Sequence, residues 1–345
     1  MSDLLLNTEK GLYCPAGGFY IDPWAPVDRA IVTHAHSDHA HFGSRRYLSS
    51  RGGAELLRLR LGSEIDLQTL DYGEPLTIAG VRVSLHPAGH VLGSAQVRLE
   101  QHGQAWVVSG DYKTAADPTC TPLEPVRCHT FVTESTFGLP IYRWPPAEQV
   151  LADVQAWWQE NQRRKRTSVL FAYALGKAQR LLAGLDAALG PILVHGAVER
   201  LLPAYRAAGI PLAACEHATA ENSRQHRGRA LVLAPPSAMG SAWLRKFGAL
   251  SPALASGWMQ IRGARRRRAM DRGFVLSDHA DWDGLLTTIA ATGAQQVWVT
   301  HGHVGPMVRW LAEQGLETRA VATRFEGELD EVGGGIELDE PVGAG

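Results

Sequence analysis

A chain of 345 residues with 45% hydrophobic and 20% charged content has a globular composition, long for one domain and comfortable for two. A net charge of −1 excludes a global basic field, so a polyanion must be met by local cations. No apolar run approaches the roughly eighteen residues of a membrane span, which argues against a membrane protein, and Met1-Ser2-Asp3-Leu4 has no basic region or cleavage site, so a cytoplasmic location is expected. The cysteines Cys14, Cys120, Cys128 and Cys215 are scattered and form no Cys-x-x-Cys pair, which argues against a disulfide scaffold or a zinc ribbon.

An apolar run at residues 30–33 is predicted as a strand, and it leads directly into His34-Ala35-His36-Ser37-Asp38-His39. Imidazole nitrogen and carboxylate oxygen are common zinc donors, and catalytic sites combine them with an open position. Alternate residues of an extended chain face the same side, so His34 and His36 can reach one ion. A turn then lets Asp38 and His39 reach a second point nearby. Further runs bounded by Gly, Pro or Asp predict strands at 81–85, 95–99, 105–109 and 130–133. Pro87-Ala88-Gly89-His90-Val91-Leu92-Gly93-Ser94 sets His90 in a glycine-framed turn, and the run at 105–109 leads into Gly110-Asp111. Each alone reads as an ordinary turn. Chemistry gathered at strand ends is what a layered sheet protein would show.

After Pro140 the pattern changes. Pro145-Pro146 opens a predicted helix at 147–161, whose Trp157 and Trp158 read as core. A strand at 168–172, a helix at 177–188, a strand at 192–195 and a helix at 198–208 follow. Strands alternating with such helices predict βαβ units and a parallel sheet. From 274–276 strands again end on metal-binding residue types: that run leads into Ser277-Asp278-His279, and the run at 297–300 leads into His301-Gly302-His303. The simplest organisation is one domain of residues 1–140 plus 265–345, with an α/β module of residues 141–264 inserted. The acidic, glycine-rich tail after Glu326 is expected to be loosely ordered. Together, His34, His36, Asp38, His39, His90, Asp111 and His301 provide enough donors for two zinc ions about 3.5–4 Å apart, with one carboxylate bridging.

The order H-x-H-x-D-H, His90, Asp111, His301 resembles that of the metallo-β-lactamase fold hydrolases. The inserted module, Glu134-Ser135-Thr136-Phe137-Gly138 and Ser277-Asp278-His279-Ala280-Asp281 narrow the resemblance to the β-CASP nucleases, over nearly the whole chain. Within that group, Gly11-Leu12-Tyr13-Cys14-Pro15-Ala16-Gly17-Gly18, Ala234-Pro235-Pro236-Ser237-Ala238-Met239-Gly240-Ser241 and Ser256-Gly257-Trp258-Met259 look like the bacterial ligase-associated DNA exonucleases. The resemblance implies an αββα sandwich of the metallo-β-lactamase type carrying an inserted α/β β-CASP domain. It implies two Zn2+, with Mn2+ the alternative: one held by His34, His36 and His90, the other by Asp38, His39 and His301, and Asp111 between them. Asp38, Glu134 and His279 become the catalytic groups. A hydroxide between the metals attacks phosphorus, and the Glu134–His279 pair supplies the proton that an expelled alkoxide needs.

The implied activity is exonucleolytic hydrolysis of DNA ends in repair, with a DNA ligase or helicase as a partner and no membrane. The alternative is an RNA-processing nuclease of the same chemistry, and the RNA branch of the family carries a histidine at the position of His301. Small-molecule hydrolysis is more remote, because Glu134, His279 and the insert would have no role. Phosphate binding needs local cations. Candidates are Arg265 and Arg266 in the run Arg262 to Arg268, the run Gln162-Arg163-Arg164-Lys165-Arg166, Lys177 at a predicted helix start, and Ser237 in a second loop.

Overall fold

The computed structural model describes residues 3–261 and 270–323. Two mixed sheets stack face to face. The first has six strands in the order Leu6–Thr8, Gly11–Cys14, Phe19–Ile21, Arg29–Ile31, Arg46–Ser50, Leu67–Leu70. The second has seven, in the order Glu317–Ala320, Gln296–Gly302, Thr130–Ser135, Gln104–Val108, Ala95–Gln101, Val81–Pro87, Pro75–Ile78. Strand periodicity explains the stacking. Trp106, Val132 and Trp298 enter the core between the sheets with Phe19, Ile31 and Leu48. Their chain neighbours Val107, Phe131, Val297 and Val299 point outward and pack beneath helices Trp282–Thr292 and Val304–Glu313. Helix Ala54–Leu61 covers the far face of the first sheet through Leu56, Leu57 and Leu61. The result is the expected αββα sandwich.

A third sheet is parallel throughout and ordered Glu216–His217, Ile192–Val194, Leu231–Ala234, Thr167–Phe171, Leu250–Ala255, Arg272–Phe274. Both of its faces are covered, so its strands read as continuous apolar runs. Leu170, Leu231 and Leu233 pack on the face holding Trp157 and Trp158 of helix Ala147–Arg163. Val169, Phe171 and Val232 pack on the other.

Several predicted elements shift. The strand before the histidine cluster ends at Ile31, so His34 to His39 lie in bends and a turn beyond it. The run predicted at 274–276 is instead Arg272–Phe274, and it is an edge strand of the third sheet. That sheet therefore extends past residue 264. The helix predicted at 177–188 stops at Gly184, where Leu185 turns extended and Asp186 caps a separate 3-10 turn, Ala187–Leu189. The helix predicted at 198–208 is two, Gly196–Glu199 and Leu202–Ala207, the second with Pro203 in its first turn, where no N–H is required. The tail after Glu326 and the run Arg262 to Arg268, with Arg265 and Arg266, lie outside the described residues. Among the described residues no helix is long and apolar enough to cross a membrane.

Candidate metal centre

Loops at one end of the sandwich converge on a buried point. The chain after strand Arg29–Ile31 folds back on itself, with Ala40 N–H donating to the His36 carbonyl at 2.9 Å, which brings His34, His36, Asp38 and His39 round one turn. His90 sits in the turn after strand Val81–Pro87, where the Ser94 hydroxyl accepts from the His90 N–H at 3.0 Å. Gly93 in that turn has φ +73°, and a Cβ there would meet the Gly53 backbone nitrogen at 2.0 Å, so only glycine fits. Asp111 follows strand Gln104–Val108 through Gly110.

His301 is placed by a defect in the ladder. Thr300 pairs with Glu134 and Gly302 with Ser135, so His301 is the extra residue of a bulge. Its φ of +52° is a rare conformation for a non-glycine side chain, and strain of this kind costs about 1–3 kcal/mol. The bulge aims its ring at His39, 5.3 Å away and stacked.

Two groups of donors result. His34, His36, His90 and Asp111 form one, with ligand atoms within 4.8 Å of one another; Asp38, His39 and His301 form the second on the same criterion. Asp111 joins them: its Oδ2 lies 3.5 Å from His34 Nε2, 3.7 Å from His90 Nε2 and 3.3 Å from His39 Nε2. The outward hydrogen bonds assign the tautomers. Thr33 gives its hydroxyl proton to Asp22 at 2.6 Å, so its oxygen accepts from His34 Nδ1–H at 3.0 Å. His90 Nδ1–H donates to the Asp278 carbonyl at 2.7 Å, and His36 Nε2–H to the Leu175 carbonyl at 3.2 Å. With those protons directed outward, His34 Nε2 and His90 Nε2 each face His36 Nδ1 at 3.0 Å, lone pair to lone pair. His39 turns Nδ1 to Asp22 at 2.8 Å and Nε2 to the Asp111 carboxylate at 3.3 Å. A convergence of bare lone pairs is repulsive unless a cation sits among them, so the donor set fits a metal.

The electrostatics agree. Burial, with neighbouring imidazoles adding to it, pushes His34 and His90 well below the ordinary histidine pKa, and burial lowers His301. Burial would also lower His39, but Asp111, Asp38 and Asp22 reverse it and hold it well above. Burial alone would raise the Asp111 carboxyl; His39 and His279 overcome this and keep it well below the usual range. The Asp111 carboxylate is thus ionised, and His34, His90 and His301 are proton-free at their lone pairs, as metal ligation requires.

Glu134 and His279 stand beside this centre. His279 Nδ1 lies 2.8 and 3.0 Å from the two Glu134 oxygens, and Glu134 Oε1 also accepts from the Tyr112 N–H at 2.8 Å. Both side chains are buried, and they group with Asp111 within 4.8 Å. A small cleft bordered by His36, Asp38, His90, His279 and Tyr173 opens over the donors. Tyr173 lies just past the third-sheet strand Thr167–Phe171, so both parts of the chain line the cleft.

Other candidates fare differently. Lys177 is fully buried, its Nζ 3.6 Å from Asp278 Oδ2 and 4.5 Å above the Tyr173 ring. Ser237 is exposed on a short 3-10 turn. Arg163 and Arg164 both pair with Glu160, and Arg166 with Asp271 at 2.7 Å. Asp22 was not anticipated, although its position after the apolar strand Phe19–Ile21 repeats the strand-then-carboxylate pattern that singled out Asp111.

An αββα sandwich with His and Asp donors gathered at the ends of its strands defines a metallo-β-lactamase fold with a His/Asp metal-binding type of site. The third sheet and the Glu134–His279 pair match the β-CASP branch of that fold. No family model matches the chain. It is 35% identical over 325 residues to a "Probable DNA ligase" of Opitutus terrae, an alignment that takes in 93% of this chain and 31% of that protein. It is 31% identical over 123 residues to "Endoribonuclease ysh1" of Aspergillus fumigatus, 35% of this chain and 14% of that one. The chain thus spans less than a third of the length of either relative. A solved structure, a protein of unknown function from Enterococcus faecalis V583, matches with a TM-score of 0.58 at 12% identity, covering 87% of this chain and 80% of that one, and so shares its fold.

Proposed function

We propose that the chain is a metal-dependent nuclease that hydrolyses phosphodiester bonds at DNA ends. The observation that carries this reading is the Glu134–His279 pair set against Asp111. A hydrolase of activated small molecules needs no protonated imidazole at this point, but breaking a phosphodiester expels an alkoxide that must be protonated. His279 donates Nδ1–H to Glu134, which fixes the ring and makes Nε2 the atom that hands over the proton. His34, His36 and His90 on one side and Asp38, His39 and His301 on the other, with Asp111 near both, would hold metal ions, which when bound would supply an activated water and neutralise phosphate charge. Zinc suits this donor set. The segment from residue 141 to the end of strand Arg272–Phe274 is read as an insert that walls the cleft through Tyr173.

DNA is favoured because the relative aligned over 93% of the chain bears a DNA-ligase name. A DNA ligase is then the natural partner, since the nuclease would prepare the ends that ligation joins. RNA is the second reading, because the shorter match is to a protein named an endoribonuclease. Side-by-side digestion of end-labelled DNA and RNA of matched sequence, with zinc or manganese, tests both. A ladder from DNA ends supports the proposal; cleavage confined to RNA transfers it to the second reading.

A further inference from the structure

Five charged side chains lie buried together beside the metal centre. Lys113, Lys177 and Arg180 are cationic, Asp117 and Asp278 anionic, and none is more than 9% exposed. Desolvating an ion costs several kcal/mol unless it is well paired, so this is more than packing requires. The arrangement centres on Asp278. Its Oδ2 lies 3.6 Å from Lys177 Nζ, and its Oδ1 3.7 Å from Arg180 Nη1 and 4.0 Å from Lys113 Nζ. Asp117 completes the set, paired with Lys113 and 3.5 Å from Arg180 Nε. Lys177 and Arg180 stand three residues apart on one helix, Lys177–Gly184, so a single face delivers both cations to one carboxylate.

The same groups hold backbone on which the metal centre depends. The Asp278 carbonyl accepts from His90 Nδ1–H at 2.7 Å, and Lys113 Nζ donates to the His90 carbonyl at 3.2 Å. Arg180 Nη1 donates to the Ser277 carbonyl at 2.6 Å, and Trp144 Nε1 to the His279 carbonyl at 2.9 Å. Successive carbonyls at 277, 278 and 279 are thus each held by a different side chain. Groups that orient a ligand from behind set its tautomer and geometry.

We propose that the Lys177–Asp278–Arg180 network is a positioning device through which helix Lys177–Gly184 fixes the orientation of His90 and the placement of His279. This rests on the reading of the donors as a metal centre and of His279 as the proton donor. Lys177 then serves the substrate indirectly, by setting the loop that meets it.

Lys177→Met and Lys177→Arg test the idea. The methionine variant leaves two cations against two carboxylates, so the buried charge stays balanced and the fold is expected to survive. Zinc affinity is measured by chelator competition, melting temperature by calorimetry, and turnover on end-labelled DNA and RNA. Lys177→Met is expected to lose about 10–100-fold in zinc affinity or turnover per folded molecule, and Lys177→Arg to recover most of it. Wild-type affinity and turnover in the methionine variant, whatever its melting temperature, overturn the proposal. Should that variant not fold, Arg180→Gln, which removes the other helix cation beside Asp278 and likewise leaves two cations against two carboxylates, is read by the same measurements with the same criterion. A wild type that binds zinc but cuts neither nucleic acid removes the nuclease reading, while the ratio of zinc affinities still decides the network. A wild type that binds no zinc overturns both.

Discussion

His39 Nδ1 lies 2.8 Å from Asp22 Oδ2, and the same carboxylate oxygen accepts the Thr33 hydroxyl at 2.6 Å, whose oxygen in turn holds His34. One acid therefore orients an imidazole in each donor group. Asp22→Asn keeps the shape but weakens acceptance from two donors at once. It is expected to lower metal affinity by about 10–100-fold, with both sites affected. Metal titration followed by calorimetry checks this, and loss confined to one ion would show that Asp22 serves only one group.

Asp111 lies within 3.7 Å of histidines from both groups. Asp111→Ala is expected to abolish cleavage and to lower metal stoichiometry, because it removes the only carboxylate common to both groups among the described residues. Elemental analysis of the purified variant beside its activity on DNA is the check.

His279 should behave otherwise. Its Nδ1 is engaged by Glu134 rather than by the donor groups. His279→Ala is expected to reduce turnover by about 10²–10⁴-fold while leaving metal content near wild type, the usual scale for losing a general acid. A variant stripped of metal would move His279 into the ligand set.

Stability without metal should peak near the ordinary histidine pKa of about 6.5. His34, His90 and His301 are held low in the fold, so as pH falls below that value the unfolded chain takes up protons that the folded one refuses, and stability is lost. His39 is held high, so its stabilising proton is fully present below about 6.5 and is lost as pH rises through its folded value. Melting temperature against pH in chelator should give a bell. Added metal should flatten the alkaline limb, where it replaces the proton on His39.

Gly302 has φ +70°, and a Cβ there would meet the Thr136 Cα at 2.4 Å. Gly302→Ala must therefore displace backbone beside the bulge that aims His301. The expected result is a destabilisation of about 2 kcal/mol or more with reduced metal occupancy in the His39 group, read by denaturant titration and metal analysis.

Much of this centre was legible in the sequence because its donors are chemically scarce and closely spaced. His34 to His39 stand within six residues, and Asp111 and His301 each follow an apolar run. Asp22 escaped notice because a lone aspartate before proline is an ordinary turn signal. The burial of Lys177 is not legible in the sequence, because a lysine at a helix start suggests a surface and only tertiary packing puts Asp278 beside it. The alternating runs reveal the third sheet, but its last strand, Arg272–Phe274, is three residues long and carries too little pattern to name its neighbours.

The bulge at His301 also has a bearing on biosynthesis. The second donor group draws on residues 38, 39 and 301, so a nascent or truncated chain that ends before strand Gln296–Gly302 lacks one of its three members. The first four donors are complete once residue 111 has emerged. Translation thus delivers the residues of the two donor groups in order, with the third sheet made in between, and His36 and His90 meet the Leu175 and Asp278 carbonyls that orient them only after those later residues emerge.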